Sequence, residues 1–307
     1  MYEMNLNPNL LVVLGPTASG KTRLGVELCR KLNGEVISAD SRQVYRGMDI
    51  GTGKDLAEYG DIPYHLIDIA EPGYEFNLFE FQRLFYAAFE NIRQRQRLPV
   101  LVGGTGLYLD AALRGYRLVE VPPNPQLRAE LAPLSDEELT ARLLALKPEQ
   151  HNTTDTINRE RLIRAIEIGE GENNPQPQNL PPAPELSPLI FGIRWERKEL
   201  IQRIETRLRQ RLDEGMIEEV ANLHDNGVPY PVLESYGLEY RFVALHLQDK
   251  LNRNDLVQQL ASAIRAFAKR QMTWFRRMER HGVLIHWLDP ADDLLSQALT
   301  IFDRTQP

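Results

Sequence analysis

Residues 15–22 read "GPTASGKT", with the apolar run "NLLVVL" (9–14) before them and the amphipathic "KTRLGVELCRKL" (21–32) running on from their end. The stretch fits G-x-x-x-x-G-K-[ST] between a strand and a helix, a loop whose backbone N–H groups wrap phosphate oxygens at a helix N-terminus. Gly15, Pro16, Thr17, Ala18, Ser19 and Gly20 form the cradle, and Gly20 lets the backbone approach closely. Lys21 would reach the terminal phosphate oxygens, and the Thr22 hydroxyl would ligate Mg²⁺. The loop leaves open whether its phosphate is hydrolysed, transferred or lost as a leaving group.

Outward from the loop, short apolar runs alternate with helical stretches. "GEVISAD" (34–40), "YHLIDIA" (64–70), "LPVLVGG" (98–104) and "PLIFGIRW" (188–195) end at turn or polar residues, and "NLFEFQRLFYAAFENIRQRQ" (77–96) reads as helix. Alternation of this kind predicts an α/β fold of the P-loop NTPase-like class, a parallel sheet flanked by helices. Ligands on such sheets gather at the carboxyl ends of strands, where the loop, "ADSRQ" (39–43) and "GGTGLY" (103–108) all fall. The alternation stops near "VEVPPNPQLRAEL" (119–131). Residues 126–170 read as short helices, with "HNTTD" (151–155) offering N-caps. "NPQPQNLPPAPELSP" (174–188), with six prolines, reads as an extended connector. The expected organisation is a core of residues 1–120 and 189–307 interrupted by a small helical domain at 121–188.

Composition narrows the class. At 307 residues, 42% hydrophobic and 26% charged, the chain has an ordinary soluble make-up. A chain of this size buries roughly three quarters of its unfolded surface, enough for one large core and a smaller unit. Its single cysteine, Cys29, allows no internal disulfide and no C-x₂-C metal site, so a reducing, cytoplasmic setting is expected. The N-terminus lacks the basic region of a signal peptide, and no apolar run approaches the roughly 20 residues of a membrane span. A net charge of −7 argues against indiscriminate nucleic-acid binding while leaving room for a local basic surface.

Four places could carry chemistry or recognition. Asp40 ends a strand and should face the phosphate loop; it could equally N-cap a following helix. Asp68 lies inside an apolar run, and a paired structural acid is favoured over a magnesium helper. Gly103 and Gly104 let the chain turn and present the Thr105 hydroxyl, which could also simply cap a helix. In "ASAIRAFAKRQMTWFRRMER" (261–280), Ile264, Phe267, Ala268, Trp274, Phe275 and Met278 share one side of a helix. Arg265, Lys269, Arg276 and Arg280 stripe the other, with Arg270 and Arg277 beside them. That stripe is either a solvated face or an anion-binding surface. The scattered histidines form no metal motif, and no G-x-S-x-G elbow exists.

Together "GPTASGKT", "ISADSRQVYRGMDIGTGK" (37–54), "LVGGTGLYLDAALRG" (101–115), "RERLIRAIEI" (159–168) and "AKRQMTWFRRM…HWLD" (268–289) resemble the tRNA dimethylallyltransferases, or tRNA isopentenyltransferases, in the family's order and over nearly the whole chain. The resemblance implies transfer of the five-carbon group of dimethylallyl diphosphate to N6 of adenine 37 in the tRNA anticodon loop, by a Mg²⁺-dependent enzyme; a monomer is expected. It implies Asp40 as general base, Thr105 on the bridging oxygen, and Arg241 beside Lys21 and Thr22 on the diphosphate. It assigns tRNA contacts to Asp40, Ser41, Arg42 and Gln43, to Arg128, and to Glu160, Arg161, Leu162, Ile163 and Arg164. The basic helix, through Arg265, Lys269 and Arg270, favours tRNA over the free AMP or ADP that related prenyltransferases use. It also argues against a P-loop nucleotide or metabolite kinase, which would bind ATP in the same loop. The chain departs from the family pattern with Glu160 where Gln is frequent, "GTGKD" where "GTAKP" is common, and "SYGLEYRF" where "GYRQ" is frequent.

Overall fold

The computed structural model describes residues 7–116, 118–146, 159–173 and 183–306, which fall into two compact units, Met1–Gly115 with Ala183–Pro307 and Tyr116–Pro182. In the larger unit a six-stranded sheet comprises β1 (Leu10–Leu14), β2 (Gly34–Ala39), β3 (Tyr64–His65), β4 (Leu98–Gly103), β5 (Pro188–Ile193) and β6 (His286–Leu288). All pairings are parallel, in the order β3-β2-β4-β1-β5-β6. Every residue of β1 is buried, as a central strand covered on both faces requires. Leu10, Val12 and Leu14 join a core with Phe81, Phe85, Phe275 and Met278. Leu11 and Val13 join the opposite core with Leu24, Leu28 and Phe191.

The helices of this unit are α1 (Lys21–Leu32), α2 (Leu78–Gln94) and α3 (Gly106–Arg114). The smaller unit holds α4 (Pro125–Leu131), α5 (Asp136–Leu146) and α6 (Arg159–Asn173), whose core is Leu127, Leu131, Leu139, Leu143, Leu162 and Ile166. Back in the larger unit follow α7 (Arg197–Asp213), α8 (Met216–Asp225), α9 (Tyr230–Ser235), α10 (Leu238–Leu247), α11 (Arg253–Arg280) and α12 (Leu294–Asp303). The N-caps expected at 151–155 and most of the proline-rich connector, residues 174–182, lie outside the described residues. No described helix is long and apolar enough to cross a membrane.

His286–Leu288 pairs with β5 as the sheet's edge, a strand the sequence does not announce because three residues are too short to show a periodicity. Two expectations need correction. Of the strand expected across 64–70, only Tyr64 and His65 join the sheet; the chain then turns through left-handed residues Leu66 (φ 65°) and Asp68 (φ 56°), and Ala70 makes an isolated parallel bridge to Tyr45. Phe267, assigned to the apolar side of α11, is 38% exposed with the Arg270 guanidinium 5.8 Å from its ring.

At the amino end of the sheet Glu35 is buried and meets His65 at 2.7 Å, Arg95 at 2.6 Å and Arg97 at 3.2 Å. Burial alone would raise its carboxyl; the His65 and Arg95 hydrogen bonds outweigh burial and hold it below the usual 4.5. A depressed carboxyl stabilises the fold above its unfolded pKa and stops doing so as pH falls through the folded value. Denaturant unfolding of Glu35→Gln should therefore show a stability deficit at pH 7 that shrinks progressively below pH 4.5; a pH-independent deficit would exclude charge as the cause.

Candidate active site

Adjacent strands β2, β4 and β1 bring three loops to the carboxyl edge of the sheet. Gly103 pairs with both Ala39 and Leu14, and a Cβ there would stand 2.3 Å from the Ala39 carbonyl oxygen. Only glycine permits that approach. The Thr105 N–H then donates to Ala39 at 3.3 Å, while its Oγ1 accepts from the Ser41 N–H at 3.1 Å. Thr105 stands at the N-cap position of α3, yet its side chain caps nothing. Asp40 Oδ1 accepts from the Arg42 N–H at 2.9 Å in a tight turn, and no helix follows for it to cap. Both residues thus lose their plain capping explanation.

The phosphate loop is bent through left-handed Ala18 (φ 62°) and Gly20 (φ 91°). Side chains from distant elements hold it: Gln271 Oε1 accepts from the Thr17 N–H at 2.8 Å, Arg203 donates to Ala18 O at 2.8 Å, and Trp195 donates to Ser19 O at 2.9 Å. Among the described residues the buried Ser19 hydroxyl has no hydrogen-bond partner. Burial pulls the Lys21 amine down to about 8, opposed by Asp40 and reinforced by Arg207.

Beside the loop opens a cavity of about 830 Å³, lined among others by Lys21, Thr22, Trp195, Arg203, Arg207 and Arg211. The three arginines recur every fourth residue of α7, so their guanidinium groups share one helical face. Arg203 stacks over Trp195 at 4.2 Å, Arg207 pairs with Asp55, and Arg211 lies 3.6 Å from Glu239. Burial and then Arg207 lower the pKa values of Arg203 and Arg211. Packing so many cations around a phosphate loop is unfavourable without an anion to compensate them. Sequence reasoning overlooked these arginines, although R-x-x-x-R-x-x-x-R in "RIETRLRQR" (203–211) is legible. Arg241, the arginine expected here, is instead exposed on α10 and does not line the cavity.

Other expected residues are dispersed. Gln43 is buried, accepting from Ser38 and donating to Gly53 O, so its amide is spent internally. Ser41 and Arg42 remain half-buried beside Asp40. Asp68 is structural, as favoured: with Asp49 it flanks the fully buried Lys54 ammonium, which ties the 45–68 loop together. In the helical unit Leu162 lies in the core and Ile163 packs against it, so neither is a free contact. Arg128 and Arg164 are held by one buried carboxylate, Glu167, at 2.8 and 3.0 Å. Glu160 and Arg161 are exposed. On α11, Arg265 pairs with Glu205 at 2.7 Å, leaving Lys269 and Arg270 exposed.

This chain belongs to the IPP transferase family, whose model matches residues 43–278. The tRNA dimethylallyltransferase 1 of Geotalea uraniireducens is 66% identical over 293 residues, covering 95% of this chain and 96% of that one. The full-length tRNA isopentenylpyrophosphate transferase of Bacillus halodurans shares the structure with a TM-score of 0.70 at 33% identity, covering 97% of this chain and 95% of that one. A eukaryotic dimethylallyltransferase acting on tRNA superposes with a TM-score of 0.75 at 23% identity, a likeness of fold, over 97% of this chain and 80% of that one.

Gly53 has a positive φ of 61°, and a Cβ there would stand 1.5 Å from Arg211 Nη2 and 2.7 Å from Arg207 Nη2. Gly53→Ala should displace both guanidiniums. The expected outcome is a destabilisation of more than about 1 kcal/mol in urea unfolding, with weaker binding of inorganic diphosphate measured calorimetrically. Wild-type values for both would mean that the arginines can relocate freely.

Proposed function

We propose that this chain transfers the dimethylallyl group of dimethylallyl diphosphate to N6 of adenine 37 in the tRNA anticodon loop, releasing diphosphate. One observation carries the reading: Asp40 and Thr105 are joined through Ser41 on the strand edge beside a phosphate loop that faces an arginine-lined cavity. The adenine amine nitrogen attacks the first isoprenyl carbon as its bond to the bridging oxygen breaks, and the electron pair leaves with the diphosphate. Asp40 accepts the amine proton. Its Oδ1 is engaged by the Arg42 N–H, which leaves Oδ2 for the base. Because the Thr105 oxygen accepts from Ser41, its own proton is free to point at the bridging oxygen.

Charge develops on the diphosphate, and the N–H groups of the loop, Lys21 and the α7 arginines are arranged to meet it. These arginines take the role first given to Arg241. No described group of three or more His, Cys, Asp or Glu side chains could hold a metal alone. The Thr22 hydroxyl, lining the cavity at the start of α1, suits a hard ion carried on the diphosphate. Mg²⁺ bound there would add positive charge against the leaving group. On the RNA side we assign contacts to Ser41, Arg42, Arg128, Glu160, Arg161, Arg164, Lys269 and Arg270.

The test is to incubate the protein with dimethylallyl diphosphate and an anticodon stem-loop, AMP or ATP, and weigh the products. Mass gain on the stem-loop alone is expected; gain on AMP, or phosphate transfer from ATP, would replace this reading. In single turnovers Asp40→Asn should slow transfer by about 10²–10⁴-fold with diphosphate substrate affinity nearly unchanged.

Stem-loop affinity should fall by about 0.7–0.9 log units per phosphate contact for each tenfold rise in salt. Replacing Lys269 and Arg270 with alanine should flatten that slope, while replacing Arg265, already paired with Glu205, should change it less. Equal slopes for all three proteins would return α11 to plain solvated surface.

A further inference from the structure

Gln271 sits on the buried face of α11, 6% exposed, where an amide is costly unless both its ends are bonded. Neither hydrogen bond described for it stays within the helix. Its Oε1 accepts from the Thr17 N–H of the phosphate loop at 2.8 Å, and its Nε2 donates to the Gly104 carbonyl at 2.9 Å. These are the loops after β1 and β4, neighbouring strands, and the amide spans the gap between them. Gly104 is shaped to this contact: a Cβ there would stand 2.4 Å from Nε2 and 3.1 Å from the Gly15 carbonyl oxygen. One turn along α11, Trp274 packs on Gly106, where a Cβ would meet the indole at 2.3 Å. Thr105 lies between these two glycines.

We propose that Gln271 is a positioning residue for the transfer reaction, setting the separation between the phosphate loop and the Gly104–Thr105 turn. That separation decides whether the isoprenyl carbon of a bound diphosphate ester lies in line between the Thr105 hydroxyl and the amine held by Asp40. An error of about 1 Å in such alignment costs on the order of 100-fold in rate. The inference rests on the transfer reading above and assigns Gln271 no contact with substrate. Its neighbours Lys269 and Arg270 are exposed on the same helix, so the RNA-facing charges and the spacer share one rigid element.

The test uses the full chain with dimethylallyl diphosphate and an anticodon stem-loop in single turnovers. Gln271→Met removes both hydrogen bonds at similar length; Gln271→Glu keeps the acceptor for Thr17 and loses the donor to Gly104. Both should slow transfer at least about tenfold at saturating substrates, a larger change than in Kd for either substrate. Rates within a few-fold of wild type, or rates lowered only in proportion to the folded fraction at the assay temperature, would overturn the proposal. Should the methionine variant not fold, the glutamate variant decides alone by the same criteria. A double-mutant cycle adds a readout that a purely structural role would not move. Gly104→Ala should slow transfer strongly in wild type and less in a Gln271→Ala background, where Nε2 is gone; equal penalties in both backgrounds would sink the idea. Wild-type protein that makes no prenylated stem-loop removes the transfer reading and this inference together, whereas active wild type with equally active variants removes this inference alone.

Discussion

The structure turns on holding the phosphate loop in a conformation the chain would not choose. Ala18 has a left-handed backbone, which costs a residue with a Cβ roughly 1–2 kcal/mol. The bend persists because Gln271 and Arg203, from α11 and α7, and Trp195, between β5 and α7, bond its backbone groups from outside. The loop is therefore organised before any ligand arrives. Preorganised N–H groups need not be reoriented as charge develops, which is the main way a protein can favour a departing diphosphate.

The same loop explains the charges around it. Lys21 is pulled down to about 8 by burial, with Arg207 and Arg211 adding to the shift while Asp40 and Asp55 oppose it. Cations pressed together in this way weaken the apo fold, since a buried amine with a lowered pKa is disfavoured in its charged form. Asp55 on Arg207 and Glu239 near Arg211 offset part of that cost. On the proposed reading an incoming diphosphate would supply the rest, coupling stability to substrate affinity through one cavity. Burial raises the carboxyl of Glu239, and Arg211 only partly opposes this.

In the smaller unit Glu167 performs a related task. Burial would raise its carboxyl, but Arg128, the Asn124 N–H and Arg164 outweigh that and lower it. One acid thus orients Arg128 and Arg164, two of the arginines we propose for RNA contact. In that role their direction would count as much as their charge, because a restrained guanidinium loses less freedom on meeting a phosphate.

Much of this was legible in the chain. The strand–loop–helix pattern around "GPTASGKT", the alternation of apolar runs, and Asp40 and Thr105 at strand ends follow from local periodicity and turn chemistry, which act over a few residues. The resemblance carried by "DSRQVYRGMDIGTGK" (40–54) pointed to the right family even though much of that stretch serves to bury Lys54 and seat Gln43 rather than to meet a ligand. What the sequence could not decide depends on contacts across long separations. Gln271 reaches Thr17 from 254 positions away, Arg203 reaches Ala18 from 185, and β6 exists only because β5 presents an edge to it. The exposure of Arg241 and Phe267 was not legible for the same reason. Sequence tells which side chains share a face of their own helix, but only packing decides whether that face meets the loop, the core or water.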